Sequence, residues 1–173
     1  EEIAGYLVGY QGDKQRNCGI VDVQFLKQMD LQVLSPVRSL VDTDYMLKHR
    51  KMYELMHQLI QEHKTTLIFT NTRAATERVV HNLKEMFPDF YPDEKIAAHH
   101  GSLSKDNRFK TEQDLREGKL KTVVSSTSLE LGIDIGYVDL VLCLGSPKSV
   151  ARFLQRAGRA GHQLHSTVKA RII

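Results

Sequence analysis

The residues best suited to chemistry lie near the C-terminal end of the chain. Arg159 stands between Gly158 and Gly161, at the close of a segment, Ser149–Gly158, with helical periodicity. In that segment Val150, Phe153, Leu154 and Ala157 recur at i, i+3, i+4 and i+7 and predict an apolar stripe for a sheet. Arg152, Gln155, Arg156 and Arg159 are predicted on the opposite side. A guanidinium held at a helix end beside glycine suits phosphate, because its planar fork meets two oxygens at once. A solvated arginine face is the alternative, but such a face has no need of Gly-Arg-Ala-Gly. The wider charge pattern agrees. From Leu140 to Ile173 there is no Asp or Glu, while Lys148, Arg152, Arg156, Arg159, Lys169 and Arg171 supply six positive charges. The whole chain carries only +3, so the remainder is net negative and one basic surface is left to meet an anion.

Further polar groups fall into four clusters, each just after a short β-branched or apolar run. They are Thr70-Asn71-Thr72-Arg73, His99-His100-Gly101-Ser102, Ser125-Ser126-Thr127 and Gly145-Ser146. The runs before them, Thr65–Phe69, Lys95–His99, Thr122–Ser125 and Asp139–Leu144, read as strands buried on both faces. Val168–Ile173 reads as a last strand, and Ile20–Val23 and Leu31–Leu34 as short ones. Between them the periodicity predicts helices over Asp44–Glu62 (apolar Met46, Tyr53, Met56, Leu59 and Ile60), Arg73–Met86 and Ser104–Glu117. Thr127–Glu130 has the spacing of a capping box and predicts a short helix. Strand and helix in alternation imply βαβ units, hence an α/β fold with a mainly parallel sheet and helices on both faces. Ligands of such sheets gather at the carboxyl ends of the strands, where the four clusters lie.

With 173 residues, 41% hydrophobic and 26% charged, the chain is globular and large enough for one ordinary core. No apolar run approaches the length of a transmembrane helix. Cys18 and Cys143 form no CxxC and suit a reducing, cytoplasmic setting. The chain opens Glu1-Glu2-Ile3, without a start methionine, and is expected to be a piece of a longer polypeptide. Residues 1–40 are the least regular and are read as a connector or peripheral segment, with the α/β domain over 41–173.

Gln155-Arg-Ala-Gly-Arg-Ala-Gly-His162 resembles motif VI of superfamily 2 helicases, and Ser125-Ser-Thr-Ser-Leu-Glu-Leu-Gly-Ile-Asp-Ile-Gly136 resembles motif V. Leu67-Ile-Phe-Thr-Asn-Thr-Arg73 resembles motif IV, with His99-His-Gly-Ser-Leu-Ser104 in the place of the HG-containing motif between them. The wording is most similar to the large helicase-related (Lhr) family of ATP-dependent DNA translocases. The resemblance implies a three-layer RecA-like domain, the second of two that clamp ATP and a nucleic acid strand. The first would belong to the same polypeptide, with no membrane involved, and DNA repair is the implied setting. Consistent with half a site, the chain has no G-x-x-x-x-G-K-[ST] loop and no Asp-Glu box of the Mg²⁺-holding kind. ATP and Mg²⁺ are therefore the implied cofactors of the full-length protein, the metal held by the first domain.

Carried over residue by residue, the resemblance implies that Arg159 is an arginine finger and Gln155 its neighbour at the nucleotide. Gly132 and Asp134 would lie near the ATP ribose, where Asp134 can accept from a hydroxyl or else cap its own loop. His162 stands where many relatives have a second arginine, implying a weaker, pH-dependent donor. Thr70, Asn71, Arg73, Gly101, Ser102, Arg108 and Ser126 occupy positions resembling contacts to the strand's phosphates, with single-stranded DNA the expected partner. Few aromatic residues are available near these loops, so base stacking is expected to matter less than backbone contacts. A non-catalytic nucleic-acid-binding or interaction module with vestigial ATP motifs is the second reading. A nicotinamide enzyme lacks its GxGxxG. A zinc site from His162 and His165 with Cys143 or His99-His100 has poor spacing, so no metal site is assigned.

Overall fold

Four serine, threonine or aspartate side chains decide where the helices of this domain begin. In the computed structural model, which describes residues 2–19, 28–130, 133–161 and 167–173, the chain opens with α1 (Glu2–Val8) and a two-stranded hairpin, β1 (Tyr10–Gln11) and β2 (Lys14–Gln15). Next come β3 (Met29–Val33), α2 (Tyr45–Gln61), β4 (Thr66–Phe69), α3 (Arg73–Met86), β5 (Ile96–His99) and α4 (Lys105–Arg116). The order closes with β6 (Thr122–Ser125), β7 (Leu140–Cys143), α5 (Val150–Ala157) and β8 (Val168–Ile172). Asp44 caps α2 by accepting from the backbone N–H groups of Met46 and Leu47, and Thr72, Ser104 and Ser149 cap α3, α4 and α5 in the same way. Each cap satisfies an amide that the first turn leaves without a partner.

Six strands form one parallel sheet in the order β3-β8-β7-β4-β6-β5. Its central strands β4, β6 and β7 are buried along their whole length, and alternate residues feed two separate cores. Leu67, Phe69, Val123, Val141 and Cys143 point to one face, where Leu115 of α4 and Ala157 of α5 meet them. Ile68, Val124, Leu140 and Leu142 point to the other, under Tyr53, Met56 and Ile60 of α2 and Val79 and Leu83 of α3. This period-two division is what lets a continuous apolar run serve two helical layers. The three-layer α/β architecture matches the expected fold class.

Several local expectations need correcting. Met46, assigned to the apolar stripe of α2, is largely exposed, because only its fellow stripe residues from Tyr53 onward reach the sheet. Thr127–Glu130 forms a turn rather than a helix, closed by the Glu130 N–H donating to the Thr127 carbonyl. The short strand expected at Leu31–Leu34 is present as Met29–Val33, but it is the edge strand of the main sheet, in register with Val168–Ile172, rather than part of a connector. Arg171 fastens it by donating to the Asp30 carbonyl and carboxylate at 2.8 and 2.7 Å. The strand expected at Ile20–Val23 lies outside the described residues.

The burial contrast along α2 sets a first test. Met56→Ala is expected to cost about 2–5 kcal/mol in urea unfolding, the range for emptying a packed core position. Met46→Ala is expected to change stability by less than about 0.5 kcal/mol. Equal effects would contradict the assigned face of the helix.

Candidate functional site

The carboxyl ends of β4, β5, β6 and β7 are neighbours in the sheet, so the four polar clusters come to one edge. Backbone bonds between adjacent loops hold them there: Thr70 N–H donates to the Ser125 carbonyl at 2.9 Å, and Ser126 N–H to the His99 carbonyl at 3.3 Å. Side chains extend the lacing. Asn71 Nδ2 donates to the Ser146 carbonyl at 3.1 Å, and Arg73 Nη1 donates to Ser102 Oγ. Asn71, Arg73, Gly101 and Ser102 are all exposed, a set of amide, guanidinium, backbone and hydroxyl donors on one surface. Thr70 differs from them. It is 1% exposed, and its hydroxyl bonds the Thr72 carbonyl and Thr76 Oγ1, so its side chain braces the start of α3. Ser126 is also buried, and Arg108 is half-buried with its Nε unpartnered among the described residues.

Beneath this edge lies a chain of polar contacts around His99. Its Nε2 is 2.9 Å from the Glu112 carboxylate, which can only accept, so Nε2 carries the proton. Nδ1 lies 2.6 Å from the Ser128 hydroxyl, which donates to the His99 carbonyl at 3.0 Å and meets Ser125 at 3.2 Å. Burial lowers the His99 pKa below its ordinary value, against an opposing pull from Glu112. His100 packs under the loop with its Nε2 2.6 Å from Glu77.

The arginine helix is organised differently from its apolar pattern. Val150 is 75% and Leu154 43% exposed, whereas Arg156 is 0% exposed. The face toward the sheet is Phe153, Arg156, Ala157 and Ala160, rotated from the predicted stripe. A buried guanidinium is tolerated because it is compensated. Arg156 Nε donates to Glu130 Oε1 at 2.7 Å, and its Cζ lies 5.1 Å over the Phe69 ring. Arg156 Nη2 is 2.6 Å from the same oxygen as an ion pair without hydrogen-bond alignment. Arg152 Nε donates to both Glu130 oxygens at 3.1 and 3.0 Å.

Arg159 reaches the same residue by its main chain. Its Nε and Nη2 donate to the Glu130 carbonyl at 3.1 and 3.0 Å, and Nη1 to the Ile133 carbonyl at 2.6 Å. Three of the five guanidinium N–H groups are thus used within the loop after β6, and the side chain remains half-buried. Partial burial lowers its pKa from the ordinary guanidinium value. Gln155 is exposed nearby in sequence. Asp134 is exposed too, with Oδ1 accepting from Gly136 N–H at 3.1 Å, the loop-capping geometry. Its carbonyl takes two bonds from Arg116. Gly132 and His162 lie outside the described residues. In the loop before α5, Gly145 and Lys148 both have left-handed backbones, φ 76° and 72°. For lysine that is an uncommon conformation.

Glu130 is the residue that sequence reasoning missed as a functional element, and two signals pointed to it. A carboxylate between Leu129 and Leu131 needs a cation, and the acid-free segment from Leu140 onward needs a counter-charge. The expectation about aromatics also changes. Tyr45 and His49 of α2 line a groove of about 930 Å³ together with Asn71 and Thr72, a proximity that only the fold creates. Among the described residues no group of three His, Cys, Asp or Glu is arranged to hold a metal. No described helix is long and apolar enough to cross a membrane.

A parallel three-layer domain with these loops at its carboxyl edge has a defined class. The chain matches the helicase conserved C-terminal domain over residues 48–163 and belongs to that family. Within it, the likeness is to the Lhr helicases. The chain is 56% identical over 173 residues to the ATP-dependent helicase Lhr-Core of Methanothermobacter thermautotrophicus, covering 100% of this chain and 20% of that protein. It is 38% identical over 137 residues to the Lhr helicase/uracil glycosylase of Escherichia coli, covering 64% of this chain and 9% of that one. The structure of Mycobacterium smegmatis helicase Lhr bound to ssDNA and AMP-PNP superposes with a TM-score of 0.78 at 39% identity, over 84% of this chain and 19% of that chain. A DEAD box protein from Methanococcus jannaschii shares the fold, with a TM-score of 0.63 at 20% identity over 86% of this chain and 36% of that one. The chain spans about a fifth of the length of the Lhr-Core relatives.

The buried histidine gives this site a pH signature. In the folded chain the His99 pKa is depressed, so below about pH 6.5 the unfolded state binds a proton that the folded state resists. Stability is therefore expected to fall as pH drops below that value, and to be insensitive to this group above it. His57, lowered by burial, acts in the same direction. His99→Gln should flatten the dependence between pH 6.5 and 5 in denaturant melts, leaving the part due to His57. An unchanged slope would show that His99 is not held neutral.

Proposed function

We propose that this chain is the second RecA-like domain of an ATP-dependent superfamily 2 DNA helicase or translocase. Its carboxyl-edge loops would grip one strand, and Arg159 would complete a nucleotide site whose other wall belongs to the first domain of the same polypeptide. The observation that carries the reading is the joining of these parts: Arg159, on the motif VI turn, is hydrogen-bonded to the loop that follows β6, next to the exposed donors after β4 and β5. The likeness to a helicase whose structure holds ssDNA and AMP-PNP supports it.

The donor chemistry fits a nucleotide in part. Against the described residues Arg159 keeps two N–H groups for phosphate oxygens, while the exposed Gln155 offers amide chemistry and Asp134 an acceptor for a ribose hydroxyl. The metal accompanying ATP would be held by the first domain, as the resemblance implies, and among the described residues no group of three His, Cys, Asp or Glu is arranged to compete for it. The bound nucleotide supplies the energy of phosphoryl transfer. Arg159 neutralises charge on the transferring group, and the loops carry its presence to the strand. On the strand side Asn71, Arg73, Gly101 and Ser102 make sequence-independent contacts to phosphates, with Arg108 behind them and Thr70 and Ser126 holding the loops in place through their backbone bonds to Ser125 and His99. His162 and Gly132 would stand at the nucleotide.

In the full-length protein Arg159→Ala is expected to lower ssDNA-stimulated ATP hydrolysis by about 10³-fold or more. Affinity for ssDNA should stay within about threefold. Arg159→Lys should recover little, since an ammonium cannot span the Glu130 and Ile133 carbonyls and a phosphate together. Hydrolysis at the wild-type rate in Arg159→Ala would remove the finger assignment and favour a binding module without catalysis.

A further inference from the structure

Glu130 receives more of the arginine helix than any role named so far requires. Its carboxylate takes Arg152 and Arg156, and its carbonyl takes two N–H groups of Arg159. The carboxylate is buried and Arg156 is wholly so, hence neither can be re-solvated without opening the helix–sheet contact. Four residues before Glu130 the same loop begins with Ser126, whose N–H is bonded to His99, and Ser128 bonds His99 from within it. His99 is the last residue of β5, and Gly101 and Ser102 follow it. One short loop thus joins the edge offered to the strand at one end and the Arg159 guanidinium at the other.

We infer that Glu130 is a positioning residue that couples strand binding to the placement of Arg159. The inference rests on the function proposed above. Strand contact displaces or orders the loop after β6. The two-arginine grip on the carboxylate makes α5 move with that loop as a unit, and the carbonyls of Glu130 and Ile133 set the direction of the guanidinium. Without the carboxylate, the loop still meets the strand, but its position is no longer transmitted to Arg159.

The test uses the full-length protein and compares Glu130→Gln, Glu130→Asp and Arg152→Gln with Arg159→Ala. The quantity read is the ratio of ATP hydrolysis with saturating ssDNA to hydrolysis without it, which a smaller folded fraction leaves unchanged. Glu130→Gln is expected to reduce that ratio about tenfold, with ssDNA affinity within threefold of wild type. Glu130→Asp, which keeps the charge, is expected to recover part of it. Arg152 is partly exposed, so Arg152→Gln spares the buried pair. It should lower the ratio severalfold at an unchanged melting temperature, which keeps the inference testable if Glu130→Gln does not fold. A wild-type ratio in Glu130→Gln, or in Arg152→Gln where Glu130→Gln does not fold, would overturn the coupling role, as would an equal fall of both rates. If Arg159→Ala is fully active, the proposed function fails first. If Arg159→Ala is inactive and the Glu130 and Arg152 variants keep the wild-type ratio, only this inference fails.

Discussion

A single buried carboxylate sets the arrangement of the basic third of this chain. Arg156 lies under α5 with no solvent access, and a guanidinium in that place is stable only beside a negative charge. Glu130 supplies it from the loop after β6. Because the same residue also accepts from Arg152 and, through its carbonyl, from Arg159, three arginines of one short segment converge on one point of one loop. The rotation of α5, the exposure of Val150 and Leu154, and the inward lean of Arg159 all follow from that anchoring.

The sheet makes the anchoring useful. Parallel strands deliver their following loops to a common edge, and the order β7-β4-β6-β5 sets the four polar clusters side by side. Bonds between neighbouring loops, from Asn71 to Ser146 and from Arg73 to Ser102, make the edge a connected surface rather than four separate tips. His99, buried and with its pKa lowered by that burial, ties the loops after β5 and β6 from below. A domain built this way links the donors on its carboxyl edge to the Arg159 guanidinium through a few residues.

Much of the architecture was legible before any coordinates. The buried runs at Thr65–Phe69, Thr122–Ser125 and Asp139–Leu144 read as strands because β-branched and aliphatic residues fill both faces, and the helical spans read from Asp44, Arg73, Ser104 and Ser149 begin within a residue of the observed helices. The face of α5 was not legible, because spacing weights Val150 and Leu154 by hydrophobicity and cannot foresee a paired arginine taking the core position. For the same reason Glu130 read as a capping residue: its partners are 22 and 26 positions away. Tyr45 and His49 beside Asn71, and Met29–Val33 at the sheet edge, are likewise products of tertiary pairing that no local pattern contains.

The most direct measurement of this account is a thermodynamic cycle on the buried pair by urea unfolding. Glu130→Leu alone leaves Arg156 uncompensated and is expected to cost about 3–5 kcal/mol, whereas Glu130→Leu with Arg156→Met should return to within about 1 kcal/mol of the parent chain. A single substitution that costs less than about 1 kcal/mol, or a double as unstable as the single, would contradict the claim that this carboxylate organises the arginine helix.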